Sequence, residues 1–163
     1  MKAPRLLDDD GLVLVVVPER FEAALAHRDF DYDFPNEVVA AVRERWAIPI
    51  PTNGGGEIVV EVRLGGPGHG RWQVDLAQAG SLAVVTYSQF TFAADGDAKL
   101  EPLDGLVAFT DVLPAGTYAV EVHRTSRDDA DSFVSITLRP STRVTNVISD
   151  DWNLEDPIEC APP

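Results

Sequence analysis

Leu12-Val13-Leu14-Val15-Val16-Val17 is an unbroken apolar run, rich in valine and ended by Pro18. A short run that is apolar at every position suits a strand buried on both faces, so the segment belongs in the centre of a sheet. The chain on its C-terminal side turns helical. Glu19 to His27 predicts a short helix with Phe21, Ala24, Leu25 and Ala26 near one face, though without a clear cap. Asp33 or Asn36 can then cap a second, stronger helix running to about Trp46. Pro35 is tolerated in its first turn, and Val38, Val39, Val42 and Trp46 recur at helical spacing with Arg43, Glu44 and Arg45 outside.

Beyond Trp46 the pattern changes to strands. Ile48-Pro49-Ile50-Pro51 cannot continue a helix and reads as extended, and Thr52 to Gly56 is a turn. Glu57 to Leu64 alternates, with Ile58, Val60 and Val62 on one side; after the Gly65–Gly70 loop, Arg71 to Leu76 alternates again with Trp72, Val74 and Leu76 inward. Leu82 to Phe92 reads as the longest strand, in which Tyr87 and Phe90 break the alternation and suggest a bulge before the Asp95-Gly96-Asp97 turn. Leu106 to Leu113 and Thr117 to Arg124, joined by Pro114-Ala115-Gly116, have the form of a hairpin, and Phe133 to Leu138 adds a last strand. The expected fold is mainly β (α+β): an antiparallel β-sandwich or open barrel of about seven or eight strands with one packed helix.

At 163 residues this is one domain, large enough to bury a core without a disulfide or metal. Residues 1–148 are read as a single β-rich domain and 149–163 as an acidic C-terminal tail. That tail carries Asp150, Asp151, Glu155, Asp156 and Glu159 beside the apolar Trp152, Leu154 and Ile158, which suggests that it docks. The single cysteine, Cys160, completes neither an internal disulfide nor a cysteine-based zinc site, which fits a reducing cytoplasm. The six-residue run from Leu12 is too short for a signal-peptide core or a membrane span, so neither export nor insertion in a membrane is expected.

Thirteen basic against 27 acidic residues give a formal net charge of −14. Such a charge opposes nucleic-acid phosphates and anionic lipid and favours encounter with basic proteins. Catalytic motifs are missing. His27, His69 and His123 lack metal-ligand spacing, no nucleophile elbow surrounds them, and the glycine runs 54–56 and 65–68 lack the lysine and strand–turn–helix setting of a phosphate loop. Asp29, Asp31 and Asp33 alternate as at the start of a calcium loop, but Phe34 stands where that loop needs glycine and no glutamate closes it. No cofactor or metal is therefore expected, and no enzyme.

What remains is binding. Asp29, Asp31 and Asp33 interleave with Phe30, Tyr32 and Phe34, the arrangement of aromatic anchors ringed by charge that a site for a basic protein needs. Asp128, Asp129 and Asp131 form a second acidic cluster able to join the first. The expected partner-binding residues are thus Asp29, Asp31, Tyr32, Asp33, Asp128, Asp129, Asp131 and, from the tail, Trp152. The alternative is a carbohydrate- or small-ligand-binding β-sandwich whose groove is lined by Trp46, Trp72 and Tyr87.

Two stretches, Tyr87-Ser88-Gln89-Phe90-Thr91-Phe92 and the run from Phe109 to Tyr118 with its Leu113-Pro114-Ala115-Gly116-Thr117-Tyr118 turn, resemble the competence-J nuclease-inhibitor family and related bacterial toxin-immunity proteins. Gly11 to Arg20, a hydrophobic strand running into Val17-Pro18-Glu19, also resembles immunity proteins of polymorphic-toxin systems. The resemblance implies a small acidic cytoplasmic protein that caps a basic toxin or nuclease made by its own cell. The oligomeric state is left open.

Overall fold

The computed structural model describes residues 5–25, 34–52, 56–69, 72–126 and 132–142. Within these residues the fold is mainly β, with nine strands in two sheets and three helices. In chain order they are β1 (Arg5–Asp8), β2 (Leu12–Val16), α1 (Pro18–Leu25), α2 (Phe34–Arg43), β3 (Ala47–Pro51), β4 (Gly56–Leu64), β5 (Trp72–Leu76), β6 (Ala83–Thr86), α3 (Tyr87–Asp95), β7 (Val107–Phe109), β8 (Gly116–Ser126) and β9 (Ser132–Pro140).

One sheet has the order β3-β2-β6-β7 and the other β1-β4-β9-β8-β5. The opening run sits where its composition places it: β2 lies between β3 and β6, and Val13, Leu14, Val15 and Val16 are all buried. The helices pack on strands of this four-stranded sheet, α2 on β3 and α3 on β2 and β6. The five-stranded sheet buries mainly alternate residues, with Gln73 and Ala119 buried as well. Ile58 and Val60, Trp72, Val74 and Leu76, Val120 and Val122, and Val134, Ile136 and Leu138 supply its inner face.

Pairing is antiparallel except between β4 and β9, which run parallel from Ile58↔Ser132 to Leu64↔Leu138. The Pro114-Ala115-Gly116 segment does not close a hairpin, because β7 and β8 lie in different sheets and the chain crosses between them there. The long hairpin is instead β8–β9, paired from Tyr118↔Pro140 to Ser126↔Ser132.

Leu82 to Phe92 is corrected from one strand to a strand and a helix. Thr86 is the N-cap of α3, its hydroxyl accepting from the Gln89 amide at 3.4 Å, and Thr86-Tyr87-Ser88-Gln89 has the spacing of a capping box. Phe90, Ala93 and Ala94 are buried at i, i+3 and i+4, so the break in alternation at Tyr87 and Phe90 marks a change of period and not a bulge.

The two sheets approach each other at both edges without merging. Val17 N donates to Trp46 O at 2.8 Å and Thr52 N to Gly11 O at 2.7 Å. These bonds bracket the β2–β3 ladder, so residues 46, 48, 50 and 52 bond to β2 while 47, 49 and 51 point away from it. Two of those three outward positions are Pro49 and Pro51, which have no N–H to offer, and β5 cannot continue the sheet across them. The seam is held by an ion pair and a backbone hydrogen bond between Arg45 and Asp75. Arg45 Nε lies 2.6 Å from Asp75 Oδ2, and Asp75 N donates to Arg45 O at 2.9 Å. At the other edge Leu7 N donates to Gly105 O at 2.7 Å, with Gly105 in a left-handed conformation (φ 74°) that glycine adopts without steric cost.

Arg45 also ends α2. Trp46 N bonds Ala41 O and Arg45 N bonds Val42 O, a Schellman motif whose left-handed position (φ 60°) holds arginine in place of the usual glycine. A left-handed arginine costs about 1 kcal/mol, offset here by the pair with Asp75, which also accepts from Thr117 Oγ1 at 2.7 Å. Asp75→Ala is therefore expected to destabilise by about 2 kcal/mol, whereas Arg45→Gly loses the pair but relieves the backbone and stays near neutral. Urea unfolding of the two variants checks the difference.

Candidate functional site

The sequence-predicted partner-binding residues Asp29, Asp31, Tyr32, Asp33, Asp128, Asp129, Asp131 and Trp152 all lie outside the described residues. Of the proposed ligand groove, Trp46 and Trp72 are buried in the core and Tyr87 is half-buried against it, so the two tryptophans present no open stacking face. Among the described residues no group of three His, Cys, Asp or Glu side chains is placed to share a metal ion, and no helix is long and apolar enough to cross a membrane.

What the described residues do show is an unequal distribution of charge. The five-stranded sheet carries Asp8, Glu57, Glu61, Asp75 and Glu121. Asp8 is fully buried, accepting from Leu12 N at 3.1 Å and from the Thr52 hydroxyl. Each of the other four has an arginine: Glu57 with Arg5 at 2.9 Å, Glu61 with Arg63 at 2.6 Å, Asp75 with Arg45, and Glu121 with Arg139 at 2.8 Å. The outer face of this sheet is thus close to charge balance.

Glu121 reports on that balance. Its hydrogen bond to Arg139, with the charges of Arg139 and His123 alongside, holds its carboxyl below the usual range against the opposing effect of burial. A lowered carboxyl pKa stabilises the fold above the unfolded-state value and loses that contribution as pH falls through the folded-state value. Glu121→Gln is expected to lose stability at neutral pH and to show a shallower decline below about pH 4.3, the ordinary glutamate value. Thermal unfolding between pH 3 and 7, relative to the parent chain, measures it.

The segment that follows α3 is different. Asp95, Asp97, Glu101 and Asp104 are all exposed, and among the described residues none of them has a salt bridge. Lys99 is the one basic residue of this stretch. Its shape is fixed locally: Asp97 Oδ1 accepts from Lys99 N at 3.2 Å, Ala98 N bonds Ala93 O at 2.9 Å, and Leu103 pairs with Val107. The segment runs past two further groups of carboxylates. At one end it walls a cleft of about 270 Å³ with α1, lined by Pro18, Glu19, Glu22, Lys99, Leu100 and Glu101. At the other, Gly105 meets β1 beside the exposed Leu7, and the β1–β2 turn adds the exposed Asp9 and Asp10. Burial, then the charge of Asp10, raises the Tyr87 phenol above its usual value.

Large apolar side chains interrupt the acidity. Leu103 is 45% exposed and Phe92, one turn before the end of α3, is 74% exposed. Ser88, Phe92 and Asp95 are the exposed positions of α3 and recur at helical spacing, so the phenyl ring projects from the helix next to the acidic segment. Sequence reading missed these residues for two reasons. Treating 82–92 as a strand hid the Ser88–Phe92–Asp95 stripe, and treating Asp95-Gly96-Asp97 as a simple turn left the acidic run to Asp104 unremarked.

The fold and this surface define a two-sheet β-protein with one charge-balanced face and one acidic edge carrying exposed apolar groups. No family model, curated protein or solved structure matches the chain.

Proposed function

We propose that the protein is a binding protein that neutralises a basic protein, in the manner of an immunity protein or inhibitor of a toxin or nuclease, and that it acts in the cytoplasm without catalysis. The observation that carries this reading is the sorting of charge. Carboxylates of the five-stranded sheet are paired or hydrogen-bonded internally, whereas those from Asp95 to Asp104 face solvent without a basic partner among the described residues. Exposed carboxylates without a basic partner repel one another and, apart from the Asp97 bond to Lys99 N, hold nothing in place, but they attract and orient a cationic surface. Exposed Phe92 and Leu103 supply the apolar contact that slows release once charge has brought the partner in. The resemblance to nuclease-inhibitor and immunity proteins points the same way and includes the very residues, Tyr87 to Phe92, that build α3.

The test is a salt titration of the complex. A tagged chain is expected to retain a basic protein from the lysate of its source cells at about 50 mM salt and to release it by about 500 mM, where screening shortens the Debye length to a few ångströms. Retention unaffected by salt, or of acidic proteins instead, would contradict the proposal.

A further inference from the structure

We propose that the outward stripe of α3, Ser88–Phe92–Asp95, reads an arginine of the partner, with the guanidinium laid on the Phe92 ring and bonded to the Asp95 carboxylate. The inference rests on the reading of this edge as a site for a basic protein and narrows it to one kind of cation.

α3 is anchored along one side. Its buried side, Phe90, Ala93 and Ala94, is held against the core, and Phe90 stacks edge-on with Phe21 at a centroid distance of 4.8 Å. The helix is thereby a rigid mount, capped at Thr86 and closed at its C-terminal end by the Gly96 N to Phe92 O bond of 3.1 Å. On its other side Phe92 is 74% exposed, so a ring face is open to solvent. Residues three apart on a helix have Cβ atoms about 5–6 Å apart. Asp95 therefore stands one turn along from that ring, exposed and with no salt bridge among the described residues.

A planar cation fits both features together. Guanidinium stacks on an aromatic face and keeps its N–H groups in its own plane, parallel to the ring and directed outward, where a carboxylate beside the ring accepts two of them. An ammonium group is compact and strongly hydrated and gains less from lying on the ring. Phe92 is then more than a greasy contact: the site prefers arginine to lysine at equal charge. Asp97, two residues beyond, adds to the attraction for either cation.

The experiment compares decaarginine and decalysine peptides, equal in formal charge, binding to the full chain at low salt by fluorescence anisotropy. The parent chain is expected to bind decaarginine at least about threefold more tightly, the low end of a cation–π contribution. Phe92→Leu keeps an apolar side chain without a ring. It is expected to lose most of the arginine preference, while Asp97→Asn weakens both and keeps it. Equal binding of both peptides by the parent chain, or an arginine preference undiminished in Phe92→Leu, overturns this inference and leaves the broader reading standing. Failure of the parent chain to bind either peptide overturns both. Phe92 and Asp97 are exposed, and the thermal midpoint of each variant confirms that it is folded.

Discussion

Phe21→Ala is expected to destabilise the protein by about 3–5 kcal/mol, the cost of removing a fully buried aromatic ring and leaving a cavity. Phe21 is fully buried on α1 and meets Phe90 of α3 at 4.8 Å and Trp46, just past α2, at 6.4 Å, both edge-to-face. It ties α1 to α3 and to the residue that follows the α2 cap. Losing it removes the ring's own burial and two aromatic contacts, and it loosens α3, the mount of the acidic edge. With total stability of a domain this size at about 5–15 kcal/mol, the variant should show a urea midpoint lowered by about a fifth or more and a thermal midpoint lower by about 6–20 °C. Phe92→Ala, by contrast, removes the same side chain from an exposed position and should shift stability by no more than about 0.5 kcal/mol. Equal losses in the two variants would contradict the assignment of one phenylalanine to the core and the other to a contact surface.

Replacing Asp95, Asp97, Glu101 and Asp104 together by lysine is expected to have the largest effect on binding. Each reversal adds two units of charge, so the formal net charge moves from −14 to −6 while the segment itself becomes strongly basic. Association with a basic partner should slow by about tenfold to a thousandfold at low salt, the range over which charge steers encounter. The salt dependence of the rate should flatten or change sign. Stability should change little, because these side chains are exposed and make no salt bridges among the described residues; the Asp97 to Lys99 backbone bond, worth about 1 kcal/mol, is the one local loss. Stopped-flow association together with a thermal midpoint separates the two effects. An unchanged rate in a folded variant would place the binding surface elsewhere.

The fold was legible wherever one period ran uninterrupted. Leu12 to Val17 declared a central strand, since every position is apolar, and Ile58 and Val60 or Trp72, Val74 and Leu76 declared a half-buried face by alternation. Pro49 and Pro51 marked β3 as extended but gave no hint that they also keep two sheets apart, because that depends on which of their neighbours β2 occupies. The chain was misread where the period changed without a glycine or proline to announce it. Thr86 ends β6 and caps α3 in the same residue, and only the Thr86–Gln89 spacing betrays the switch. Pro114-Ala115-Gly116 has hairpin chemistry yet serves a crossing between sheets, since turn residues specify a local bend and not the partner of the strand that follows. The acidic character was plain from composition, but its concentration after α3 was not. That required knowing which carboxylates meet an arginine, and pairs such as Arg5–Glu57 and Arg139–Glu121 form only once separate strands have paired in register.

The most direct test of the acidic edge as a binding surface is a paired capture. The parent chain and the four-lysine variant, tagged identically, are exposed to the same lysate of the source cells at low salt, and the retained proteins are quantified by mass spectrometry. One or a few basic proteins are expected to be held by the parent chain, released from it at high salt and depleted at least tenfold on the variant. A protein retained equally by both baits, or none retained by the parent chain at either salt, would contradict it.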